Sequence, residues 1–304
     1  MSQANPYQII DPRFRPLIQP NAHLHQVATG FEWTEGPVWF ADMQVLLFSD
    51  IPAERMMRLT PDRQVSTFRQ PSNYSNGNTR DRQGRLVTCE HGSRSVIRTE
   101  IDGSRTVLAD SFEGKRLNSP NDVVVQSNGA IWFTDPTYGI LSDYEGYEAK
   151  PEQATHNVYR IDPQSGHMTA VITDFVQPNG LAFSVDESVL YVAESGASHD
   201  DTVPAVIRAF NVGADGTVSG GRVFAEIDCG IPDGMRVDHL GNVWTSAGDG
   251  VHCFAPDGTL LGKILVPEVV ANLCFGGPRG NRMFITATTS VYSVGLNVRS
   301  AVPT

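Results

Sequence analysis

Residues 130–135 read AIWFTD, a short run of apolar and β-branched residues that ends in polar turn formers. A run of roughly six such residues, bounded by Gly, Asp, Asn or Pro, is typical of a buried β-strand. Similar runs recur along the whole chain, and no amphipathic helical segment of comparable strength competes with them. The sequence therefore predicts an all-β protein. The matching runs are VLLFSD (45–50), RLVTCE (85–90), VLYVAE (189–194), NVWTSA (242–247) and RMFITA (282–287).

One polar residue lies about ten residues before the start of each of these runs, and a turn former usually follows it. Successive polar residues are roughly 40 to 60 positions apart, and a four-stranded propeller blade takes roughly 40 to 50 residues. Another strand pair follows each inner pair, as in RAFNVGADGTVSGGRVF (208–224). We therefore predict a six-bladed β-propeller with four-stranded blades. The polar residues are Glu35, Asn76, Asn121, Asn179, Asp233 and Asn272.

The last blade, MFITATTSVYSVGL (283–296), is one strand short at its C-terminal end. A propeller closes its ring by taking a strand from the other end of the chain, which removes an exposed sheet edge. The candidate strand is HLHQVAT, residues 23–29. We therefore expect a single propeller domain over residues 23–304, closed by this N-terminal strand, and an N-terminal extension over residues 1–22.

Two insertions lengthen the third and fourth blades, GILSDYEGYEAKPEQAT (139–155) and GASHDDTVP (196–204). Long loops in a compact domain usually cover a functional site. We predict a lid over the mouth of the central channel. Trp39, Trp132 and Trp244 recur on strands and are predicted to pack between blades.

The charge balance argues against two classes of partner. Lys and Arg number 23 against 34 Asp and Glu, which gives a formal net charge of -11. A chain of this charge repels phosphate backbones and anionic membranes, so we expect no nucleic-acid and no membrane partner. The N-terminal residues lack an apolar stretch behind a basic start, and the four cysteines form no CxxC pair. These features predict a cytoplasmic protein with reduced thiols, either a monomer or a dimer.

The six polar residues carry the chemistry. The innermost strands of a propeller line its channel, so residues in equivalent register converge near one end of the axis. Two carboxylates and four amides form an oxygen-rich set that suits a hard cation. Each NG, ND or DG pair alone is an ordinary turn, but the shared register and Glu35, which has no turn preference, favour a metal site. We predict one divalent metal ion, with Ca²⁺ preferred over Zn²⁺ and with Mg²⁺ and Mn²⁺ left open.

The strings EGPVW, NSPNDVVV, AIWFTDPTYG, QPNGLAFS, IPDGMRVD and ANLCFGG resemble, in this order, those of the gluconolactonase, regucalcin (senescence marker protein) and lactonase superfamily. The similarity extends from Phe31 to Leu296 and is greatest to the bacterial gluconolactonases. It implies a propeller whose calcium-type metal is held by the Glu of EGP, the Asn of PNG and the Asp of PDG. These residues are Glu35, Asn179 and Asp233. Related propeller phosphotriesterases add the Asn of an ND pair, here Asn121, which is also a candidate substrate contact.

The substrate contacts follow less directly from the resemblance. Regucalcin-like members have an Arg two residues before the ND pair, whereas this chain reads RLNSPND, which moves Arg116 farther away. Arg116 is therefore either a substrate contact or a structural Arg, and Asn118 is a second candidate. Asp135 and Tyr138 in FTDPTYG open the inserted loop and are expected to border the substrate, although Asp135 before Pro136 also fits a simple turn.

The implied reaction is the hydrolysis of a sugar lactone, of the glucono-1,5-lactone type, to the aldonic acid. A divalent cation polarises the lactone carbonyl and stabilises the oxyanion that forms when water attacks. Asp233 is the predicted base, and the alternative is a water activated by the cation and assisted by Asp233. His91 in CEHGSR is the next catalytic candidate, as a neutral proton shuttle, although a lone His is often structural.

Two other functions stay open. The same metal site could serve a phosphotriesterase-like hydrolase or another lactone hydrolase, and the propeller could be a non-catalytic calcium-binding platform. The chain has no GxSxG elbow and no phosphate-binding glycine loop. Two carboxylates in one channel beneath a polar lid favour an enzyme.

Overall fold

A computed structural model describes residues 5–302, in which antiparallel strands make up almost all of the regular structure. In chain order the strands are β1 (Tyr7–Ile9), β2 (His25–Thr29), β3 (Thr34–Phe40), β4 (Val45–Asp50), β5 (Arg55–Leu59), β6 (Val65–Arg69), β7 (Ser75–Arg80), β8 (Leu86–Glu90), β9 (Ser95–Thr99), β10 (Arg105–Ala109), β11 (Ser111–Phe112), β12 (Lys115–Arg116), β13 (Val123–Val125), β14 (Ile131–Asp135), β15 (His156–Ile161), β16 (Met168–Phe175), β17 (Pro178–Phe183), β18 (Val189–Glu194), β19 (Val206–Val212), β20 (Val218–Glu226), β21 (Met235–Val237), β22 (Val243–Ala247), β23 (Gly250–Phe254), β24 (Leu260–Leu265), β25 (Val270–Gly276), β26 (Arg282–Ala287) and β27 (Ser290–Gly295).

Helical structure within residues 5–302 is limited to three short 3-10 helices, Pro12–Leu17, Tyr138–Ile140 and Gly196–Ser198. None of them has the length and apolar character that crossing a membrane requires. The prediction of an all-β protein is confirmed.

Six antiparallel sheets form the blades of a propeller. They are built from β3–β6, β7–β10, β13–β16, β17–β20, β21–β24 and β25–β27, while β11 and β12 form a separate hairpin. The first strand of each sheet contacts the first strands of the two neighbouring sheets, so six innermost strands surround a central channel. The six quoted apolar runs form the second strands. The predicted six-bladed propeller is therefore confirmed.

An N-terminal strand closes the ring. Strand β2 pairs with β27, with His25 opposite Ser293, and becomes the outermost strand of the sixth blade. The predicted closing strand is thus confirmed. The residues before it are also attached, because β1 pairs with β24 as a fifth strand of the fifth blade and Phe14 lies against Trp244 with ring centroids 5.8 Å apart. The domain boundary at residue 22 stays a prediction.

The core lies between neighbouring blades. Trp132 is fully buried and packs edge-on against Phe183 of the next blade, with ring centroids 5.4 Å apart. Trp39 of the first blade stacks on Phe284 of the sixth at 5.3 Å, and Trp244 is also fully buried. These contacts confirm the predicted packing role of the tryptophans. Together they fix the angle between blades and hence the width of the channel.

Removing the Trp132 ring should destabilise the fold. Trp132→Ala leaves a cavity between the third and fourth blades, and such truncations cost roughly 3–5 kcal/mol. Denaturant unfolding should show a loss of this size. Val223→Ala, at an outer-strand position that is 57% exposed, should change the free energy of unfolding by less than about 0.5 kcal/mol. Equal losses in the two variants would contradict the packing described here.

Candidate metal centre and active site

The six polar residues lie at the start of the six innermost strands. Four of them are the second or third residue of a strand, whereas Asn121 and Asp233 come two residues before β13 and β21. Asp233 is partly buried and the other five are buried. The predicted common register is present. The four residues inside strands are Glu35, Asn76, Asn179 and Asn272.

The strand pairing is irregular at each of these starts. In the first blade the register shifts between Glu35 and Val38, and in the fourth between Pro178 and Leu181. The second and sixth blades have equivalent shifts, and the third and fifth begin their pairing after the polar residue. A bulge releases a residue from the strict alternation of a strand and re-aims its side chain. The irregularity therefore allows one polar side chain per blade to face the channel.

Glycine follows the polar residue where neighbouring inner strands approach most closely. A Cβ atom on Gly36 would lie 2.0 Å from the carbonyl oxygen of Asn76, and φ at Gly36 is +50°. A Cβ atom on Gly180 would lie 2.0 Å from the carbonyl oxygen of Asp233. The EG and NG pairs thus have a structural reason beyond turn formation, since they let the inner strands converge around a narrow channel end.

Contacts across the channel connect residues that are remote in sequence. Asn272 Nδ2 donates to Glu35 Oε2 at 3.0 Å. The side chain of Asn179 lowers the pKa of Asp233 and the charge of Glu35 raises it, so both groups lie near Asp233. The structure therefore brings Glu35, Asn179, Asp233 and Asn272 to one place.

The two carboxyl groups of this cluster resist joint ionisation. Burial, together with the negative charge of Asp122, raises the pKa of Glu35 to about 8. Burial and the charge of Glu35 raise the pKa of Asp233 well above its usual range. Within the described part of the chain, neither group forms a salt bridge with Lys or Arg. A cation that binds between them would favour the ionised forms of both.

Several oxygen atoms near the cluster fit such a cation. Asn76 Oδ1, Asn179 Oδ1 and Asp122 Oδ2 are buried and have no hydrogen-bond partner among residues 5–302. An unsatisfied buried polar group costs about 1–3 kcal/mol. Carboxylate and amide oxygens are the ligands that calcium and magnesium prefer. The donor set at this end of the channel therefore fits an oxygen-ligated divalent cation.

Asp122 is a channel carboxylate that the sequence reasoning missed. It is 2% exposed, and burial raises its pKa while the positive charge of Arg236 opposes the shift. Arg236 Nη1 lies 3.9 Å from Asp122 Oδ2. The sequence contains Asp122 in the same ND pair as Asn121, and only Asn121 was predicted to face the channel. Since Arg236 balances Asp122, one divalent cation is sufficient to neutralise Glu35 and Asp233.

The inserted loop of the third blade reaches the channel end. The carbonyl oxygen of Glu145 lies 2.9 Å from Nδ1 of His91, and the charge of Glu145 raises the pKa of both Glu35 and Asp233. Burial raises the pKa of Glu145 itself to about 7. We call residues 138–150 the lid. Glu145 was also missed, because its position depends on the path of a loop that has no repeat register.

The lid begins with Tyr138, a candidate substrate contact. Its hydroxyl donates to the carbonyl oxygen of Ser195 at 3.0 Å. Burial raises its pKa, and the charge of Asp233 adds to the shift, so Tyr138 lies on the Asp233 side of the channel end. The same hydroxyl lies 2.9 Å from Oγ of Ser198, which belongs to the second predicted insertion, so this insertion is joined to the lid.

The remaining substrate candidates fall into two groups. The backbone N–H of Asn118 donates to Asp135 Oδ2 at 2.8 Å, and each of these two side chains has one buried oxygen without a partner among residues 5–302. Burial raises the pKa of Asp135 to about 7. Arg116 is exposed and donates to the carbonyl oxygen of Ser93 at 3.2 Å. Arg94, which is buried, contacts the Asn118 and Asp135 pair in place of Arg116: its Nε donates to the carbonyl oxygen of Asn118 at 2.9 Å.

A second acidic cluster lies away from the six polar residues. The carboxylates of Asp228 and Asp249 lie close to His252 and could in principle hold a metal. However, Lys263 Nζ lies 2.6 Å from Asp228 Oδ1 and 3.0 Å from Asp249 Oδ2. An ammonium group already supplies the counter-charge there, in contrast to Glu35 and Asp233.

Comparison with known proteins agrees with the fold and the motifs. Residues 33–289 match the sequence profile of the SMP-30/Gluconolactonase/LRE-like region. The chain belongs to this family. A gluconolactonase from Zymomonas mobilis is 33% identical to it, over 93% of this chain and 84% of the relative. The solved structure of a gluconolactonase from Xanthomonas campestris superposes with a TM-score of 0.89 at 37% identity, over 96% of this chain and 94% of that one. The resemblance seen in the sequence is therefore confirmed.

A third relative is named for a different substrate. It is a 6-deoxy-6-sulfogluconolactonase from Pseudomonas putida, 31% identical over 84% of this chain and 82% of the relative. All three relatives are therefore named as lactonases, but not all for the same sugar.

Without divalent cations, the stability of the protein should depend on pH. The pKa of Glu35 is about 8 in the folded chain and about 4.3 in an unfolded one, so the folded state holds an extra proton between these values. The contribution of this proton to the stability of the folded state is complete below about pH 4 and is lost as the pH rises to about 8. In chelator, the Tm should therefore fall over this window, and the raised pKa of Asp233 acts in the same direction.

Two comparisons test this prediction. Glu35→Gln should flatten the fall in Tm, and added calcium should stabilise the wild type most at the upper end of the pH window, where both carboxylates are ionised. A wild-type Tm that stays constant in chelator, or a Glu35→Gln variant that follows the wild type, would contradict the described electrostatics.

Proposed function

We propose that this chain hydrolyses sugar lactones of the glucono-1,5-lactone type to aldonic acids at the channel end that contains Glu35, Asn179 and Asp233. The observation that carries the proposal is the pair of channel carboxyl groups, Glu35 and Asp233, that lack a cationic partner among residues 5–302 and lie near amide oxygens that also lack one there. Membership of a family whose relatives are named as gluconolactonase, sulfogluconolactonase and, in Haloferax volcanii, pentonolactonase supports lactones as the substrate class.

The proposed cofactor is one divalent cation, with Ca²⁺ preferred and Zn²⁺, Mg²⁺ and Mn²⁺ as alternatives. Glu35, Asn179 and Asp233 would hold it, with Asn121 as a fourth ligand. An all-oxygen donor set favours calcium, whereas zinc sites usually include thiolate or imidazole ligands. When bound, the cation supplies Lewis-acid polarisation of the lactone carbonyl and of the developing oxyanion.

Asp233 is the proposed base. Its backbone N–H donates to Ser246 Oγ at 2.8 Å, which anchors the segment before β21. Asp233 is the one member of the six that is only partly buried, so water can reach it. In its ionised form it accepts a proton from the attacking water, and a base held in place in this way contributes typically 10²–10⁴-fold to a rate.

The sugar hydroxyls are proposed to bind beside the third blade. The oxygens of Asn118 and Asp135 that have no partner among residues 5–302 are acceptors for hydroxyl hydrogens, Asn121 follows Asn118 closely in sequence, and Tyr138 closes the Asp233 side. Arg116 is proposed as a rim contact only, because its guanidinium is engaged by the carbonyl oxygen of Ser93. A sugar lactone, which offers several hydroxyl donors, matches this set of acceptors.

Removing either channel carboxylate should abolish turnover without unfolding the protein. Asp233→Asn and Glu35→Gln each delete one negative charge, so cation-dependent hydrolysis of glucono-1,5-lactone, followed by the fall in pH, should drop at least about 100-fold. Asp228→Asn changes a carboxylate that is paired with Lys263 and should keep wild-type activity. Unchanged turnover in Asp233→Asn or Glu35→Gln would refute the site, and a loss only in Asp228→Asn would move it to the second acidic cluster.

Substrate class is tested by a panel that contains aldonolactones, a homoserine lactone and a phosphotriester. Aldonolactones should have the highest kcat/KM, and chelator should abolish the activity. A preference for the phosphotriester would indicate a phosphotriesterase-like enzyme. Calcium binding without any hydrolysis would indicate a non-catalytic propeller.

A further inference from the structure

His91 lies where the channel meets the lid. It directly follows β8 and is fully buried. Its Nε2 lies 3.1 Å from Asn76 Nδ2, and its Nδ1 lies 2.9 Å from the carbonyl oxygen of Glu145. Asn76 is the channel residue of the second blade, and Glu145 belongs to the lid. Both ring nitrogens are therefore engaged by protein groups, and neither is available to a substrate.

These two partners select one tautomer of the imidazole. A carbonyl oxygen only accepts hydrogen bonds, so Nδ1 must carry the hydrogen. In the neutral ring Nε2 is then an acceptor, and the amide nitrogen of Asn76 supplies the matching hydrogen. Burial lowers the pKa of His91 to about 4, in keeping with a neutral ring at pH 7.

The tautomer in turn decides which way the Asn76 amide points. Because Nδ2 faces His91, Oδ1 is the amide atom left over. It is buried and has no hydrogen-bond partner among residues 5–302. Asn76, like Glu35 and Asn179, is the second residue of its inner strand. The Asn76 oxygen is therefore expected to lie at the same level of the channel as the oxygens of those two residues.

The lid backbone holds the imidazole in place. A Cβ atom on Gly139 would lie 2.3 Å from Cγ of His91, so the lid covers the ring at van der Waals distance. The lid is also attached to the second blade through Tyr147, whose ring packs edge-on against Tyr74 with centroids 5.2 Å apart. His91 donates its backbone N–H to the carbonyl oxygen of the same Tyr74 at 3.1 Å. Movement of the lid would therefore disturb His91 directly.

We propose that His91 is a positioning residue that couples the lid to the channel: its Nδ1–H seats the lid on the Glu145 carbonyl, and its Nε2 holds the Asn76 amide so that Oδ1 is presented as an additional oxygen acceptor for a divalent cation. It does not exchange protons with the lactone. This inference rests on the proposed function only in so far as the cation takes part in lactone hydrolysis. Lid closure and cation affinity are thereby linked through one side chain.

Two substitutions separate the two hydrogen bonds of His91. In His91→Asn the side-chain amide can replace the Nδ1–H donor to Glu145 but does not reach Asn76. In His91→Gln the side-chain oxygen can replace Nε2 as the acceptor from Asn76, while the donor to Glu145 is lost. Loss of a group that orients a metal ligand typically weakens metal affinity 10–100-fold.

The readouts are calcium affinity by titration calorimetry and hydrogen exchange of the lid amides, both without substrate. His91→Asn should weaken calcium binding at least about tenfold and leave lid exchange as in the wild type. His91→Gln should bind calcium within about threefold of the wild type, since the acceptor that orients Asn76 is kept, and should exchange lid amides faster. Asn76→Ala should reproduce the calcium defect of His91→Asn, and the double variant should be no worse than either single one.

A long-range ¹H–¹⁵N correlation spectrum of the wild type provides an independent test. It should show His91 protonated at Nδ1 and unprotonated at Nε2 at pH 7. An Nε2–H tautomer or an imidazolium in this spectrum would overturn the proposal. So would calcium affinity and slow lid exchange that are lost to the same extent in His91→Asn and His91→Gln. A pH–rate profile of lactone hydrolysis whose acidic limb disappears in both variants would also overturn it, by indicating that His91 accepts a proton in the reaction. Because binding and exchange need no lactone, a wild type that fails to hydrolyse lactones would refute the proposed function without deciding this inference.

Discussion

Two carboxyl groups at one end of the channel, neither of them paired with a cationic side chain among residues 5–302, are the constraint on which the rest of the channel depends. Burial raises the pKa of both Glu35 and Asp233, and the charge of Glu35 adds to the shift at Asp233, so ionising both is costly unless a cation binds there. Asn272 donates a hydrogen bond to the Glu35 carboxyl group, and the Asn179 side chain lies near Asp233. Asp122 is balanced by Arg236. The charge arrangement therefore calls for one divalent ion.

The propeller supplies the rigidity that this arrangement needs. Glu35 and Asp233 come from the first and fifth blades, so their separation is determined by the packing between blades and by closure of the ring through β2. Bulges at the starts of inner strands and glycines such as Gly36 and Gly180 bring these starts together. Polar groups that are preorganised in this way need little reorganisation when charge develops in a reaction. The lid adds Glu145 and Tyr138 above them, and His91 connects the lid to Asn76.

The parts of the molecule that repeat were predictable, and the parts that do not repeat were not. The apolar runs, the closing strand and the common register of Glu35, Asn179 and Asp233 follow from periodic patterns, because each blade is built in the same way. The pairing of β1 with the fifth blade, the position of Glu145 and the contact of Arg94 with Asn118 depend on loop paths that no period encodes. Asp122 was missed for another reason, since two adjacent polar residues cannot be assigned to the channel by spacing alone.

The central claim is that Glu35, Asn179 and Asp233 share one cation. The most direct test is the anomalous diffraction of crystals grown with calcium. The account predicts a single peak in the channel, with side-chain oxygens of all three residues 2.3–2.6 Å away, the distance typical of calcium ligands. A peak between Asp228 and Asp249 with none in the channel, or a channel peak that lacks either Glu35 or Asp233 as a ligand, would contradict it.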